Sequence, residues 1–149
     1  MKRVSTYAIT FVLAAGVLAA CAGGAGTNTV EIRPVGNEMR YETTEFSVKA
    51  GEQVRLVFVN TATSAAMHHN VVILTDPTAV ERVGTAALTA SANDYIPEDD
   101  AILAHTAMAA PGATVEVTFT APTEPGDYTF ICTYPGHYLL MRGVMRVTA

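Results

Sequence analysis

Gly126-Asp127-Tyr128-Thr129-Phe130-Ile131-Cys132-Thr133-Tyr134-Pro135-Gly136-His137-Tyr138-Leu139-Leu140-Met141 is the stretch from which the fold of this chain is read. Tyr128, Phe130 and Cys132 recur at period two, so an extended run would carry all three on one face. Pro125-Gly126 starts the run as a turn signal, and Pro135-Gly136 turns the chain soon after it ends. The spacing therefore predicts a strand that delivers Cys132 to its end. A loop then brings His137 and Met141 back toward the same point.

The same period governs most of the chain around this stretch. Val30 and Ile32 alternate with Glu31 and Arg33, and Phe46 and Val48 alternate with Glu45, Ser47 and Lys49. Val54, Leu56 and Phe58 share a face, as do Val115, Val117 and Phe119, and Val144 to Thr148 form the last run. Val71 to Leu74 is continuously apolar, the pattern of a strand covered on both faces. Turn signals at Ala50-Gly51, Pro111-Gly112 and Arg142-Gly143 separate these runs. Seven or eight short strands of this kind predict an all-β, Greek-key β-sandwich. Gly126-Asp127-Tyr128 resembles the tyrosine corner of such sandwiches. One segment departs from the rhythm. Asp76-Pro77 reads as an N-cap with proline in the first turn, and Val80, Val83 and Ala87 follow at helical spacing. Asp76 to Pro111 is thus expected to be an insertion with one short helix, ending near Ala90 and packed on the sandwich, with Ser91 to Pro111 irregular.

The chain has 149 residues, 50% of them hydrophobic and 15% charged, which suits one domain and excludes a disordered chain. Nine basic residues stand against fourteen acidic ones, and two of the nine, Lys2 and Arg3, precede the first apolar run. No basic cluster remains for phosphates, so nucleic acid is excluded as a partner. Lys2 and Arg3, the apolar stretch Tyr7 to Ala20 and the small residues before Cys21 compose a signal peptide over residues 1–20. The run is shorter than the ~20 residues of a spanning helix. Leu18-Ala19-Ala20-Cys21 resembles the bacterial lipobox, whose cysteine becomes the lipidated N-terminus. Residues 21–28 then form the lipidated Cys21 and a flexible tether, and residues 29–149 form the domain. An extracytoplasmic, membrane-anchored location follows. With Cys21 acylated, Cys132 is left as a single thiol in an oxidising compartment, where thiols are normally paired or liganded.

A metal explains it. Cys132, His137 and Met141 lie in one loop, and Met67-His68-His69-Asn70 lies far upstream. A thiolate, imidazoles and a thioether make a soft donor set that suits copper, and His₂Cys with a long axial Met describes a blue-copper electron-transfer centre. Side chains alternate along a strand, so only one of His68 and His69 faces the metal, and His69, beside the strand start at Asn70, is the nearer. His105 follows a short apolar pair without a second donor nearby and reads as a surface or loop residue.

These motifs, together with Asp94-Tyr95 and Ala104-His105-Thr106, resemble azurin and more broadly the cupredoxins, from about Val30 to Val147. A lipid tether on such a domain is similar to the auracyanin-type proteins of filamentous photosynthetic bacteria. The resemblance implies a cupredoxin-like sandwich holding one copper ion. It implies that His69, Cys132 and His137 are the strong trigonal ligands, with Met141 the weak axial one and the backbone carbonyl of His68 opposite. Asn70 would tie the two ligand loops together, and the Tyr134 N–H would point at the thiolate. Three departures stand out. His68 replaces the family's usual glycine, Val71 replaces a buried tryptophan, and the N-terminal disulfide of azurins has no cysteines to form it.

The function expected is a monomeric carrier that shuttles single electrons between membrane-associated redox partners, a cytochrome or a membrane electron-transfer complex. The alternative is a periplasmic copper-binding or copper-delivery lipoprotein, but the exposed Met- or His-rich tract that delivery favours is missing. An enzyme is not expected. Multi-copper catalysis needs His-x-His motifs that do not occur here, and a binuclear purple centre would need a second cysteine in the loop where Pro135 and Gly136 stand.

Overall fold

A computed structural model describes residues 28–149. The expected signal peptide over residues 1–20, Cys21 and the expected tether before Asn28 lie outside the described residues. Eight strands run in the order β1 (Asn28–Ile32), β2 (Glu45–Lys49), β3 (Gln53–Val59), β4 (Val72–Leu74), β5 (Ile102–His105), β6 (Thr114–Thr120), β7 (Gly126–Ile131) and β8 (Arg142–Thr148). They form a three-stranded sheet, β1-β3-β6, and a five-stranded sheet, β2-β8-β7-β4-β5. The pairs β1·β3 and β2·β8 are parallel and the others antiparallel.

The period-two residues face one another across the sandwich. Val54, Leu56 and Phe58 are buried in β3, and Phe130 and Cys132 meet them from the β7 side. Tyr41 joins this core from the loop between β1 and β2, packing its ring 5.2 Å from Phe130 and 6.1 Å from Phe58. Each such ring contributes about 2–3 kcal/mol of apolar burial, which is enough to make these three side chains the centre of the structure. Gly143 in β8 lies under the Phe130 ring, where a Cβ would collide with Phe130 and with the Thr44 carbonyl. Tyr128 donates its hydroxyl to the Glu124 carbonyl at 2.9 Å, the hydrogen bond of a tyrosine corner.

Strand β4 is covered on both faces. Val71 and Ile73 enter the main core, whereas Val72 and Leu74 join a second, smaller core with Ala79, Val83, Ile96, Ala101 and Ile131. The insertion supplies that second core. Asp76 caps a turn of 3₁₀ helix, Pro77–Ala79, by accepting the Thr78 N–H at 2.8 Å, and α1 (Val80–Ala87) follows. The helix ends at Ala87 rather than near Ala90, because Thr89 and Ala90 bond three residues back and tighten the last turn. Strand β5 is the second difference. It lies in the stretch expected to be irregular, is only four residues long and half-buried, and pairs with β4 through a register shift at Leu74. So short an edge strand carries no clean alternation.

Both ends of the described chain lie at one pole. Asn28 pairs with Val54 at the start of β3, and its side-chain amide donates to Glu52. Strand β8 ends at Thr148, whose carbonyl accepts from Ala50 in the same turn. Strand β7 ends, and β8 begins, at the other pole.

Candidate metal centre

Three chain segments converge at that second pole. Asn60, just past β3, donates its side-chain amide to the Met67 and Ala109 carbonyls, both at 2.9 Å. The backbone of His69 exchanges hydrogen bonds with Ala109 at 3.1 and 2.8 Å. These contacts fix His69 three residues before β4. Cys132 follows the last residue of β7. Gly136 takes a left-handed conformation, φ +81°, that returns the chain as one turn of 3₁₀ helix, His137–Leu139. Met141 then donates its N–H to the His137 carbonyl at 2.7 Å, and Cys132 donates to the Met141 carbonyl at 3.0 Å. The loop is thus closed by bonds among the residues that carry the donor atoms.

The donors lie together. His69 Nδ1 and His137 Nδ1 are 3.1 Å apart, and Cys132 Sγ lies 3.9 Å from the first and 3.7 Å from the second. Donors bonded at about 2.0–2.3 Å in a trigonal plane stand about 3.5–3.8 Å from one another. The three donors therefore fit one small ion with little movement. Of the four side chains His69, Cys132, His137 and Met141, three are wholly buried and His137 is 5% exposed. Among the described residues, His69, Cys132 and His137 form the only cluster of this kind. Cys132 is a free, buried thiol, as expected once Cys21 is set aside.

Burial decides the protonation states. It pushes the Cys132 thiol up to about 12, against the opposing pull of the Asn70 and Tyr134 backbone N–H groups. It brings His69 down to about 4, with smaller contributions from His137 and His68, and it lowers His137 as well. At neutral pH the imidazoles are uncharged and present lone pairs, while the sulfur keeps its proton until a cation replaces it.

The surroundings hold the donors in place. Asn70 bridges the two loops: its Nδ2 donates to Thr133 Oγ1 at 2.7 Å, and the Thr133 N–H donates to its Oδ1 at 2.8 Å. The Asn70 carbonyl accepts the Tyr41 hydroxyl at 2.5 Å. Phe58 stands edge-on to the His69 ring at 6.5 Å. His68 is not among the clustered donors and instead stacks on Tyr134, 5.6 Å between centroids and 17° between planes. Tyr134 also packs on His137 at 4.9 Å. His105, at the end of β5, is exposed and turned to the Thr106 carbonyl. Asn60, Tyr41 and Thr133 were not anticipated. Only the isolated polar residue after the β3 run hinted at Asn60, and nothing in sequence pointed to Tyr41.

Comparison with known proteins agrees with this geometry. Residues 28–148 match the family described as copper binding proteins, plastocyanin/azurin family. Auracyanin-A of Chloroflexus aurantiacus is 40% identical, with 88% of each chain covered. Its solved structure, described as a "blue" copper protein, superposes with a TM-score of 0.77 over 83% of this chain and all of that one. The dithionite-reduced auracyanin of Roseiflexus castenholzii superposes at 0.76 with 41% identity, covering 85% of this chain and all of that one. Outer membrane protein H.8 of Neisseria gonorrhoeae is 35% identical, with 72% of this chain and 61% of that protein covered.

Proposed function

The chain belongs to the plastocyanin/azurin family of copper-binding proteins, and from that premise we propose how its residues work. It is a type 1 copper electron-transfer protein, not an enzyme, and its buried His69/Cys132/His137/Met141 site fits one copper ion. We assign His69, Cys132 and His137 as the residues that would hold the ion strongly, with Met141 and the His68 carbonyl as the weaker contacts. The observation that supports the three strong ligands is the 3.1–3.9 Å triangle of buried donors; Met141 is assigned from its burial beside them in the same loop.

Bound copper supplies a one-electron couple between Cu(I) and Cu(II). The chain does the rest. Two neutral imidazoles and a thiolate are held by backbone bonds and by the Asn70 bridge, so their positions need not change with the charge between them. The Asn70 and Tyr134 N–H groups draw charge from the sulfur and favour the reduced state. Phe58, Tyr41 and Met141 exclude water. His137, the one ligand side chain with any exposure, is the electron port. Around it Leu139 and Leu140 are 57% and 65% exposed, and Leu140 shares an open groove with Met39 and Met67. A small apolar patch suits brief encounters with redox partners. Burial of the donors, complete but for the edge of His137, opposes copper delivery, which needs ligands that a recipient can reach.

Cys21 is the lipid-modified residue in this reading. The protein works as a monomer on the outer side of a membrane, and its partners are a cytochrome or a membrane electron-transfer complex. The leader sequence supports that location, and the outer-membrane relative is consistent with it. A visible spectrum of the copper-loaded protein tests the site. A strong thiolate-to-copper charge-transfer band is expected, and a colourless Cu(II) form would refute it. Cys21→Ser should release the protein from membranes without changing that colour.

A further inference from the structure

Tyr41 carries a polar atom into a core whose packing does not need one. Its ring is fully buried and lies 5.2 Å from Phe130 and 6.1 Å from Phe58, contacts that a phenylalanine would make as well. Taking a hydroxyl out of water costs free energy unless it finds a partner. Here the partner is the Asn70 carbonyl, which accepts the hydroxyl at 2.5 Å. Asn70 is also the residue whose N–H reaches the Cys132 sulfur and whose side chain holds Thr133 through bonds of 2.7 and 2.8 Å. The hairpin that presents Tyr41 is itself closed. Glu42 donates to the Arg33 carbonyl at 2.8 Å, Val35 donates to the Arg40 carbonyl at 2.9 Å, and Pro34 bridges to Tyr41. Burial, with a smaller contribution from Cys132, holds the phenol well above its ordinary range, so the hydroxyl keeps its proton at neutral pH.

Resting on the copper reading above, we infer that Tyr41 is a positioning residue that sets the reduction potential, because its hydroxyl holds the Asn70 backbone so that the Asn70 N–H stays aimed at the thiolate. A buried carbonyl deprived of its donor is costly, and the chain turns to relieve it. The Asn70 carbonyl and N–H flank one Cα, so a rotation that relieves the first displaces the second. It also strains the side-chain bridge to Thr133. A sulfur that loses an N–H donor keeps more of its charge, which favours the oxidised state of the centre over the reduced one. Tyr41 touches no donor atom itself. It acts through Asn70, from a hairpin far from both ligand loops in sequence.

The test compares Tyr41→Phe with Tyr128→Phe, which deletes the same kind of bond, a tyrosine hydroxyl on a backbone carbonyl, at the opposite pole. At a fixed ambient potential, the ratio of reduced to oxidised copper-loaded protein should fall about three- to tenfold in Tyr41→Phe and stay unchanged in Tyr128→Phe. In the metal-free chains, amide hydrogen exchange at Asn70 and Thr133, corrected for global stability by Leu56 in β3, should accelerate several-fold in Tyr41→Phe alone. Tyr41→para-aminophenylalanine, which keeps a donor at the same reach, should restore both readings. An unmoved or raised potential in Tyr41→Phe overturns the inference, whatever the melting temperature does. So does a lowered potential without faster exchange at Asn70 and Thr133, or a failure of the amino variant to restore them. If Tyr41→Phe does not fold, Tyr41→para-fluorophenylalanine fills the hydroxyl's volume without donating and gives the same readings. An unaltered chain without the thiolate-to-copper band refutes the copper reading instead, while exchange in the metal-free chains still decides whether Tyr41 orders Asn70.

Discussion

Gly84→Ala should damage the protein even though it places a better helix former in a helix. Gly84 lies in the middle of α1, where exchanging glycine for alanine normally stabilises by about 1 kcal/mol. Here the added Cβ would stand 2.5 Å from both Cδ atoms of Tyr138 and closer still to its Cγ. Ordinary carbon contacts are about 3.5–4.0 Å, so the ring must retreat by about 1 Å or more. Cγ is the root of the ring and cannot swing aside. Overpacking of this kind costs about 1–3 kcal/mol, and the severity of the overlap argues for the upper end. Set against the propensity gain, the net loss is about 2 kcal/mol, or a melting temperature lower by several degrees. Tyr138 follows His137, and its hydroxyl reaches Thr85 Oγ1 at 3.4 Å, so the displacement should also shift the charge-transfer spectrum. Thermal melts of the metal-free and copper-loaded forms, combined in a double-mutant cycle, measure the effect. In a Tyr138→Ala background Gly84→Ala should become neutral or stabilising. If Gly84→Ala alone raises the melting temperature, the helix does not press on the ligand loop, and the reasoning fails.

The remaining predictions concern the donors themselves. His68→Gly should keep the blue centre, whereas His69→Gly should lose it or open a coordination position; the reverse spectra would mean a register error of one residue. Redox titration should show Met141→Gln lowering the potential, because a harder oxygen favours Cu(II), and Met141→Leu raising it, because the site loses a donor and becomes drier. Shifts of the same sign would remove Met141 from the site. In the metal-free protein His69 takes up its proton near pH 4 when folded but near its ordinary value of about 6.5 when unfolded. The unfolded state therefore binds more protons across that window, and stability should fall by about 3 kcal/mol as pH drops through it. Denaturant titrations from pH 7 to 4 check this, and copper-loaded protein should resist the loss. Asn70→Ala removes both bonds to Thr133 and leaves a buried N–H without a partner, costing about 2–4 kcal/mol by chemical denaturation.

The strands that border the core were legible because their burial alternates strictly. Val54, Leu56 and Phe58 could face only one way, and the continuous run at Val71 to Leu74 announced a strand with protein on both sides. The ligand loop was legible for another reason. Cys132, His137 and Met141 are local in sequence, and a thiol without a second cysteine nearby, set between a histidine and a methionine loop, asks for a metal. What escaped was set by tertiary contact. Strand β5 exists because the edge of β4 needs a partner, and its own four residues barely alternate. Asn60 and Tyr41 serve the centre through carbonyls 7 to 49 residues away in the chain, and no local pattern encodes such a partner. The choice between His68 and His69 lay between these cases, since strand alternation allowed one of them and the bridge to Ala109 fixes which.

The parallel pairing of β2 with β8 also sets a timetable. Glu45 meets Val144 and Lys49 meets Thr148, so one of the earliest strands must wait for the last. Met141 and the bonds that close the ligand loop come immediately before that final strand. A chain delivered across a membrane with its N-terminus leading cannot assemble the donor set until nearly every residue has arrived, and contacts of such long sequence separation form slowly. A nascent or truncated chain therefore offers copper no finished site. A chain that stops before β8 is left with unpaired edges on both β2 and β7, and such edges invite pairing with other chains.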